Sequence, residues 1–340
     1  MFLRNCWYVA AWNHEVPSGG VLARTLLGEP VVLFRDRAGK PVALEDRCVH
    51  RNLPLSCGKV IGDTIQCGYH GLVFDRSGAV VQVPGQTAVP PGAAIRSYPV
   101  VERHRWVWIW MGDAASADPA AIPDYHWNDD PGWVSVGDRF YVKGGYNLIV
   151  DNLLDLSHVQ YVHASTLGSD AVVEFPVHVA RHDDRIQIDR WILDNPPPPM
   201  FAKAGGYNGN VDRWQLITYH PPSHVVIDVG CATAGTGAPD GDRTHGIEMY
   251  SNHTITPETA TTSHYFWHHA RNFRRDDDSL TEFLRKAAGG AFFEDVGIIE
   301  AQQASIDSDR EKRPKIDINA DAGVIAAQRL LARMIEGEAR

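Results

Sequence analysis

Cys48-Val49-His50 and, after sixteen intervening residues, Cys67-Gly68-Tyr69-His70 are the segments on which the reading of this chain turns. Each offers one thiolate and one imidazole. Zinc binds two Cys and two His readily, but zinc fingers pair Cys with Cys and His with His. Here each segment pairs one of each. That arrangement suits a [2Fe-2S] cluster with one iron on the two thiolates and the other on the two imidazoles. Neutral imidazoles lower the negative charge of such a cluster and raise its potential. Gly71 directly follows His70, and Pro54 and Gly58 follow His50, so both segments sit in tight loops where backbone can approach a bound group closely. A single zinc ion is the alternative occupant.

The flanking sequence reads as strands. Residues 7–11, 31–35, 41–45, 64–66, 72–74, 80–83 and 106–111 are short and rich in β-branched or aromatic residues, with Gly, Pro, Asp and Asn between them. They predict a small barrel or sandwich over residues 1–111. Residues 112–132 are rich in Ala, Asp and Pro and read as a connection. A chain of 340 residues, 44% hydrophobic and 22% charged, suits two soluble domains. The net charge of -10 argues against a nucleic-acid or anionic-membrane partner. No apolar run approaches the ~20 residues of a membrane-spanning helix. The N-terminus lacks the order of a signal peptide, which predicts a cytoplasmic protein. Cys6, Cys57 and Cys231 complete an odd set of five cysteines. They read as small structural or buried residues, not disulfide partners.

Residues 133–340 mix the two element types, giving an α+β class for the whole. Strands are predicted over 171–180, 185–193, 213–219, 224–229, 246–256 and 261–269, and helices after Gly144-Gly145 and over 283–303 and 322–335. Prolines 196–199 read as an extended interruption, and residues 205–209 as a loop able to cover a pocket. The first helix carries D-N-L-L-D-L-S-H-V-Q-Y-V-H at 151–163. Asn152, Asp155 and His158 recur at helical spacing and form one polar stripe among leucines. His163 joins them only if the helix ends near Tyr161 or bulges. Two converging histidines suit iron, zinc or nickel, and a distant carboxylate would complete the 2-His-1-carboxylate triad of non-haem Fe(II) oxygenases. Asp295 or Glu294 could supply it. The plainer alternative is two core histidines and an acidic helix face.

Together these segments resemble the oxygenase component of the Rieske non-haem iron aromatic-ring oxygenases, over nearly the whole chain. C-x-H followed by C-x2-H is that family's cluster signature, and Val83-Pro84-Gly85 resembles its proline loop. Gly68 departs from the proline many relatives carry. The spacing from Asn152 through Asp155 and His158 to His163 resembles the catalytic motif. N-C-W-Y-V-A at 5–10, V-D-R-W-Q at 211–215, P-P-S-H-V at 221–225 and I-T-P-E-T at 255–259 are similar to the vanillate-type demethylases of the family, with the dicamba-type demethylases near.

The resemblance implies an N-terminal β-rich Rieske domain (1–111), a linker (112–132) and a catalytic domain of antiparallel sheet and helices, helix-grip or START-like (133–340). It implies that Cys48, His50, Cys67 and His70 hold the [2Fe-2S] cluster and that His158, His163 and Asp295 hold a mononuclear Fe(II). Asp155 would bridge to a neighbouring subunit's cluster, accepting hydrogen bonds from its His70 and from the chain's own His158 or His163. Asn152 would orient the iron site. His253 would meet a substrate carboxylate, with Asn252, Arg271, His264, His268 and His269 as further candidates. The implied activity is O2-dependent O-demethylation of a vanillate-type methoxylated aromatic acid to a phenol and formaldehyde. Electrons would come from NAD(P)H through a separate reductase or ferredoxin, and the assembly would be a head-to-tail homotrimer. The alternatives are another small aromatic, such as a dicamba-like methoxybenzoate or a methyl-arenesulfonate, or an electron carrier with no oxygenase activity.

Overall fold

Side chains alternate across a strand, so a strand that is apolar at every position is buried on both faces. Val31–Phe34, the centre of the strand Glu29–Arg35, shows this in the computed structural model, which describes residues 1–163, 174–311 and 313–339. Val31 and Leu33 enter one core with Tyr8, Val107 and Ile109. Val32 and Phe34 enter a second, with Leu44, Ile65, Phe74 and the two cluster cysteines.

Contacts divide the chain into two units, Met1–Ile122 with Thr256–Ala260, and Pro123–Ile255 with Thr261–Arg340. The first unit holds β1 (Trp7–Trp12), β2 (Val21–Leu26), β3 (Glu29–Arg35), β4 (Pro41–Glu45), β5 (Lys59–Ile61), β6 (Thr64–Gln66), β7 (Val73–Phe74), β8 (Val80–Gln82), β9 (Ser97–Tyr98), β10 (Val100–Arg103) and β11 (Trp106–Trp110). They form three small sheets ordered β1-β11-β10, β2-β3-β4-β9 and β5-β6-β7-β8. The sequence reading missed β2, β5, β9 and β10. In β2 the reason is Arg24, a buried charge whose strand position is supported by Glu15 at 2.6 Å.

The second unit is a seven-stranded sheet: β12 (Val134–Val142), β13 (His178–Arg181), β14 (Ile186–Asn195), β15 (Val211–His220), β16 (His224–Thr233), β17 (Gly246–Pro257) and β18 (Ser263–Arg271), ordered β12-β18-β17-β16-β15-β14-β13. Among the described residues its helices are α1 (Tyr146–Leu154), α2 (Val159–Val162), α3 (Pro199–Gly205), α4 (Asp278–Ser308) and α5 (Ala322–Glu338). Helix α4 starts on an Asp277 cap that accepts from the Leu280 N–H at 2.9 Å. It lays Leu280, Leu284, Ala288, Ala291, Phe292, Val296 and Ile299 inward. Phe292 meets Trp267 of β18 edge-on at 5.1 Å.

Several expectations need correction. A strand, β12, precedes the helix that was expected to open this unit. The strand expected over 171–180 is described only from His178, and residues 171–173 lie outside the described residues. The stretch 112–132, read as a connection, has local structure of its own. It makes three short 3-10 turns, two capped by Asp113 and Asp118, and buries Tyr125 and Asn128. Pro199 begins a helix, where a missing N–H costs nothing. The loop at 205–209 is pinned: the Tyr207 hydroxyl donates to the Cys231 carbonyl at 2.5 Å and accepts from the Ile247 N–H at 3.1 Å. Of the cysteines outside the cluster motif, Cys231 is buried as expected, Cys6 is only partly buried and Cys57 is exposed.

Candidate functional site

The two cluster loops are built alike. The Cys48 and Cys67 N–H groups donate to the carbonyls of Leu53 and Leu72, both at 2.8 Å. Asn52 and Gly71 donate back to the carbonyls of Cys48 and Cys67, at 2.9 and 3.2 Å. Both have positive φ, 58° and 74°, which asparagine and glycine tolerate. The loops thus repeat one geometry. Both thiols are buried and within hydrogen-bonding reach of each other. The His50 and His70 rings lie at the surface with centroids 4.5 Å apart. Pro84 of the proline loop would lie 3.0 Å from a Cβ on Gly71. Gly68 has a local cause, since a Cβ there would fall 2.5 Å from the Cys57 carbonyl oxygen.

Among the described residues, the side chains that gather tightly enough for one ion are His158, His163 and Asp295, with ligand atoms within 4.8 Å of one another. The four cluster residues do not gather so closely. A single zinc therefore fits them poorly, and a two-iron group with separate thiolate and imidazole ends fits them well.

The second site depends on a break, not on a continuous helix or a bulge. Helix α1 stops at Leu154. Asp155 turns extended (φ -116°, ψ 98°), and its carboxylate caps a 3-10 turn, Leu156–His158, by accepting from the Ser157 N–H at 2.8 Å and hydroxyl at 2.9 Å. Helix α2 then runs four residues, and His163 closes it. The Asp155 carbonyl, which can only accept, takes the His158 Nδ1–H at 2.6 Å. Glu294 likewise takes the His163 Nδ1–H at 2.7 Å. Both rings therefore turn Nε2 inward, to 3.4 Å (His158) and 3.1 Å (His163) from Asp295 Oδ1. Orienting a ligand's second ring nitrogen in this way is common around metals. Asn152 donates to the same oxygen at 3.2 Å.

Asp295 sits in the apolar stripe of α4, where burial alone would raise its pKa. The hydrogen bonds and charges of His158 and His163 overcome that and hold it at about 2. Burial opposes protonation of His163, yet Asp295 and Glu294 carry its pKa above the ordinary value. The expected role of the Asp155 carboxylate toward the chain's own histidines is corrected: its backbone carbonyl, not its carboxylate, holds His158.

The trio borders a cavity with about 670 Å³ of empty space, counting its open mouth. Leu156, Phe201, Ile227, Val229 and Phe292 make it apolar, with Asn152, Arg213, Gln215, Ser251, His253 and His269 as its other polar members. His253 is fully buried between the Tyr265 hydroxyl (2.8 Å to Nδ1) and Ser251 (2.9 Å to Nε2). Burial, with His269 nearby, pushes its pKa down to about 3, so it is neutral at ordinary pH. Of the further candidates, only His269 lines this cavity. Arg271 serves structure: it donates to the carbonyls of Phe273, Arg274 and Asp277 and to Thr281, bracing the start of α4. Sequence reasoning quoted Val211 to Gln215 without seeing Arg213 and Gln215 as site residues. Their alternation along a strand was the available signal.

Comparison with known proteins agrees with this geometry. Residues 6–99 match the Rieske [2Fe-2S] domain, and residues 142–337 match the vanillate O-demethylase oxygenase C-terminal domain. The iron-sulfur subunit of the toluene-4-sulfonate monooxygenase system of Comamonas testosteroni is 46% identical over 99% of this chain and 98% of its own length. A vanillate O-demethylase oxygenase subunit of Pseudomonas sp. is 38% identical over 99% of this chain and 96% of its own. The crystal structure of dicamba monooxygenase bound to 3,6-dichlorosalicylic acid superposes with a TM-score of 0.92 at 37% identity, covering 99% of both chains.

Fold and site define the oxygenase component of a Rieske non-haem iron oxygenase, a [2Fe-2S] domain joined to an antiparallel-sheet catalytic domain. Within that class the chain belongs to the vanillate O-demethylase family. It is an iron-dependent O-demethylase or related aromatic monooxygenase, one component of a system with a separate reductase. No helix among the described residues is long and apolar enough to cross a membrane.

Proposed function

We propose that this chain oxidises the methyl group of a small aromatic acid, and that a vanillate-type methoxybenzoate is demethylated to the phenol. The observation that carries this reading is the His158, His163 and Asp295 trio opening onto an apolar cavity. For the ether the balance is ArOCH3 + O2 + 2 e⁻ + 2 H⁺ → ArOH + CH2O + H2O, with NAD(P)H as the electron source through the reductase. Cys48, His50, Cys67 and His70 would hold the cluster. His158 Nε2, His163 Nε2 and the Asp295 carboxylate would hold the mononuclear iron. When bound, the cluster supplies single electrons and the iron supplies activation of O2.

The chain's own residues do the positioning. The Asp155 carbonyl and Glu294 fix the two imidazoles, and Asn152 steadies the carboxylate. Phe201, Phe292 and Leu156 exclude water and confine an aromatic ring. His253, neutral and with both ring nitrogens engaged by Tyr265 and Ser251, lines the cavity without charge for an acid. A head-to-tail trimer, in which Asp155 faces the neighbouring cluster, belongs to this proposal.

A methyl-arenesulfonate is the second reading, favoured by the 46% identity to the toluene-4-sulfonate subunit against 38% to the vanillate one. The test is product release with a suitable reductase. Formaldehyde from vanillate and other methoxybenzoates supports demethylation. Oxidised methyl product from toluene-4-sulfonate alone selects the second reading. No product from either, in protein with full iron, overturns both.

A further inference from the structure

Arg213 is 3% exposed, yet its Nε and Nη1 atoms have no hydrogen-bond partner among the described residues. Among the described residues, no acid compensates it. The adjacent Asp212 serves other groups, accepting from the Asp194 N–H at 3.0 Å and the Gly235 N–H at 2.8 Å. The thiol beside it, Cys231, is kept neutral by burial, its pKa pushed up to about 12. The other charge felt by the guanidinium is a second cation, Arg190. Phe201 gives it only a ring face, at 5.3 Å. A buried cation without a partner destabilises the fold that holds it. A chain that keeps one on a cavity wall uses it when the cavity is filled.

Gln215 lies two residues along β15, on the same cavity. Its Oε1 accepts from Arg190 Nη1 at 3.3 Å. Arginine only donates, so the oxygen must face Arg190, and the amide's two N–H donors remain for the cavity.

We infer that Arg213, assisted by the Gln215 amide, anchors the acidic group of the substrate and makes this cavity select an aromatic anion over its uncharged counterpart. The planar guanidinium suits both a carboxylate and a sulfonate. This deepens the proposed function, resting on the same cavity, and assigns its charge recognition to a residue that none of the metal-site reasoning uses.

Binding can be measured without turnover. Calorimetric titration of the iron-loaded protein with 4-methoxybenzoate and 4-methoxybenzamide, and with toluene-4-sulfonate and toluene-4-sulfonamide, compares each anion with its neutral partner. The expected result is that Arg213→Met weakens the preferred anion at least thirtyfold and leaves the neutral partner within threefold. Arg213→Lys should recover part of the anion affinity. Arg213→Met should also raise the melting temperature of the ligand-free protein, because an uncompensated charge is removed; a structural arginine would give a fall. Equal weakening of anion and neutral partner, or a lower melting temperature with anion affinity unchanged, overturns the inference. The arm that binds more tightly tells carboxylate from sulfonate. Failure of product formation in the wild-type protein, with Arg213-dependent binding intact, would sink the proposed reaction and leave this inference standing.

Discussion

A carboxylate placed among phenylalanines and leucines persists as an anion only when its lone pairs are used, and Asp295 uses them on His158, His163 and Asn152. Removing that charge should therefore be felt first by the metal. Asp295→Asn should lower iron from about three to about two per chain while the visible iron–sulfur absorption is unchanged. Retention of all the iron, measured by elemental analysis, would remove Asp295 from the ligand set. A second residue-scale consequence concerns His253 and His269, held by burial at about 3 and about 4. Both values lie below that of an unfolded histidine, ~6.5. As pH falls below ~6.5 the unfolded chain takes up protons that the native chain refuses, so stability drops with acidification. Each buried ring adds up to about 1.4 kcal/mol per pH unit to that slope. His253→Gln should remove about one proton from the pH dependence of urea-unfolding free energy between about pH 6 and pH 5. The same slope as wild type would show that the ring does not stay neutral. At this scale the ligands were legible, because Cys and His at fixed intervals carry chemistry whatever the fold does around them. Arg213 was not, because whether a strand arginine faces water or a cavity depends on neighbours that only the folded sheet supplies.

Elements decide where those residues point. The even spacing of Asn152, Asp155 and His158 reads as one helix, and no Pro or Gly announces a stop between Leu154 and Val159. The chain stops there because Asp155 bonds its own following backbone, a local competitor to the helix that sequence periodicity does not weigh. The break is what lets His163 reach the point His158 reaches. It also gives Asp155 two separable jobs. Asparagine caps about as well as aspartate. Asp155→Asn should keep both metals and unfolding free energy within about 0.5 kcal/mol of wild type, yet lose turnover through loss of the charge. Asp155→Ala should lose the cap as well, costing about 1 kcal/mol. Full turnover in Asp155→Asn would remove the bridging role. The sheet gives another test, at Gly230 of β16, paired with Trp214 of β15. A Cβ there would fall 2.1 Å from the Trp214 ring and 2.4 Å from the Ile247 carbonyl oxygen. Gly230→Ala should cost about 1–3 kcal/mol through overpacking, read by chemical denaturation. The alternation of these strands made most of the sheet legible, and where the reading slipped, as at β2, a buried ion pair had replaced the apolar signal.

The two metal sets belong to different units of the chain, the cluster loops to the first and the iron ligands to the second. Nothing in the sequence spacing says whether an electron leaves a cluster for the iron of its own chain or for that of another. The carboxylate of Asp155 is engaged only by Ser157 in the hydrogen bonds described for this chain, so acceptor capacity remains for a donor from a neighbour. If the assembly is a head-to-tail ring, each interface joins one chain's cluster to the next chain's iron. Two disabled chains should then rescue each other. His50→Ala removes the cluster and keeps the iron; Asp295→Asn does the reverse. Each alone should be inactive. Co-expressed in equal amounts and purified as mixed trimers by two affinity tags, they should recover about a third of wild-type turnover, since every mixed ring, two copies of one variant and one of the other, has one of its three interfaces joining an intact iron chain to an intact cluster chain. Transfer confined within a chain leaves every mixture inactive, because no single chain then carries both centres. Native mass measurements on the same samples separate that outcome from a failure to assemble.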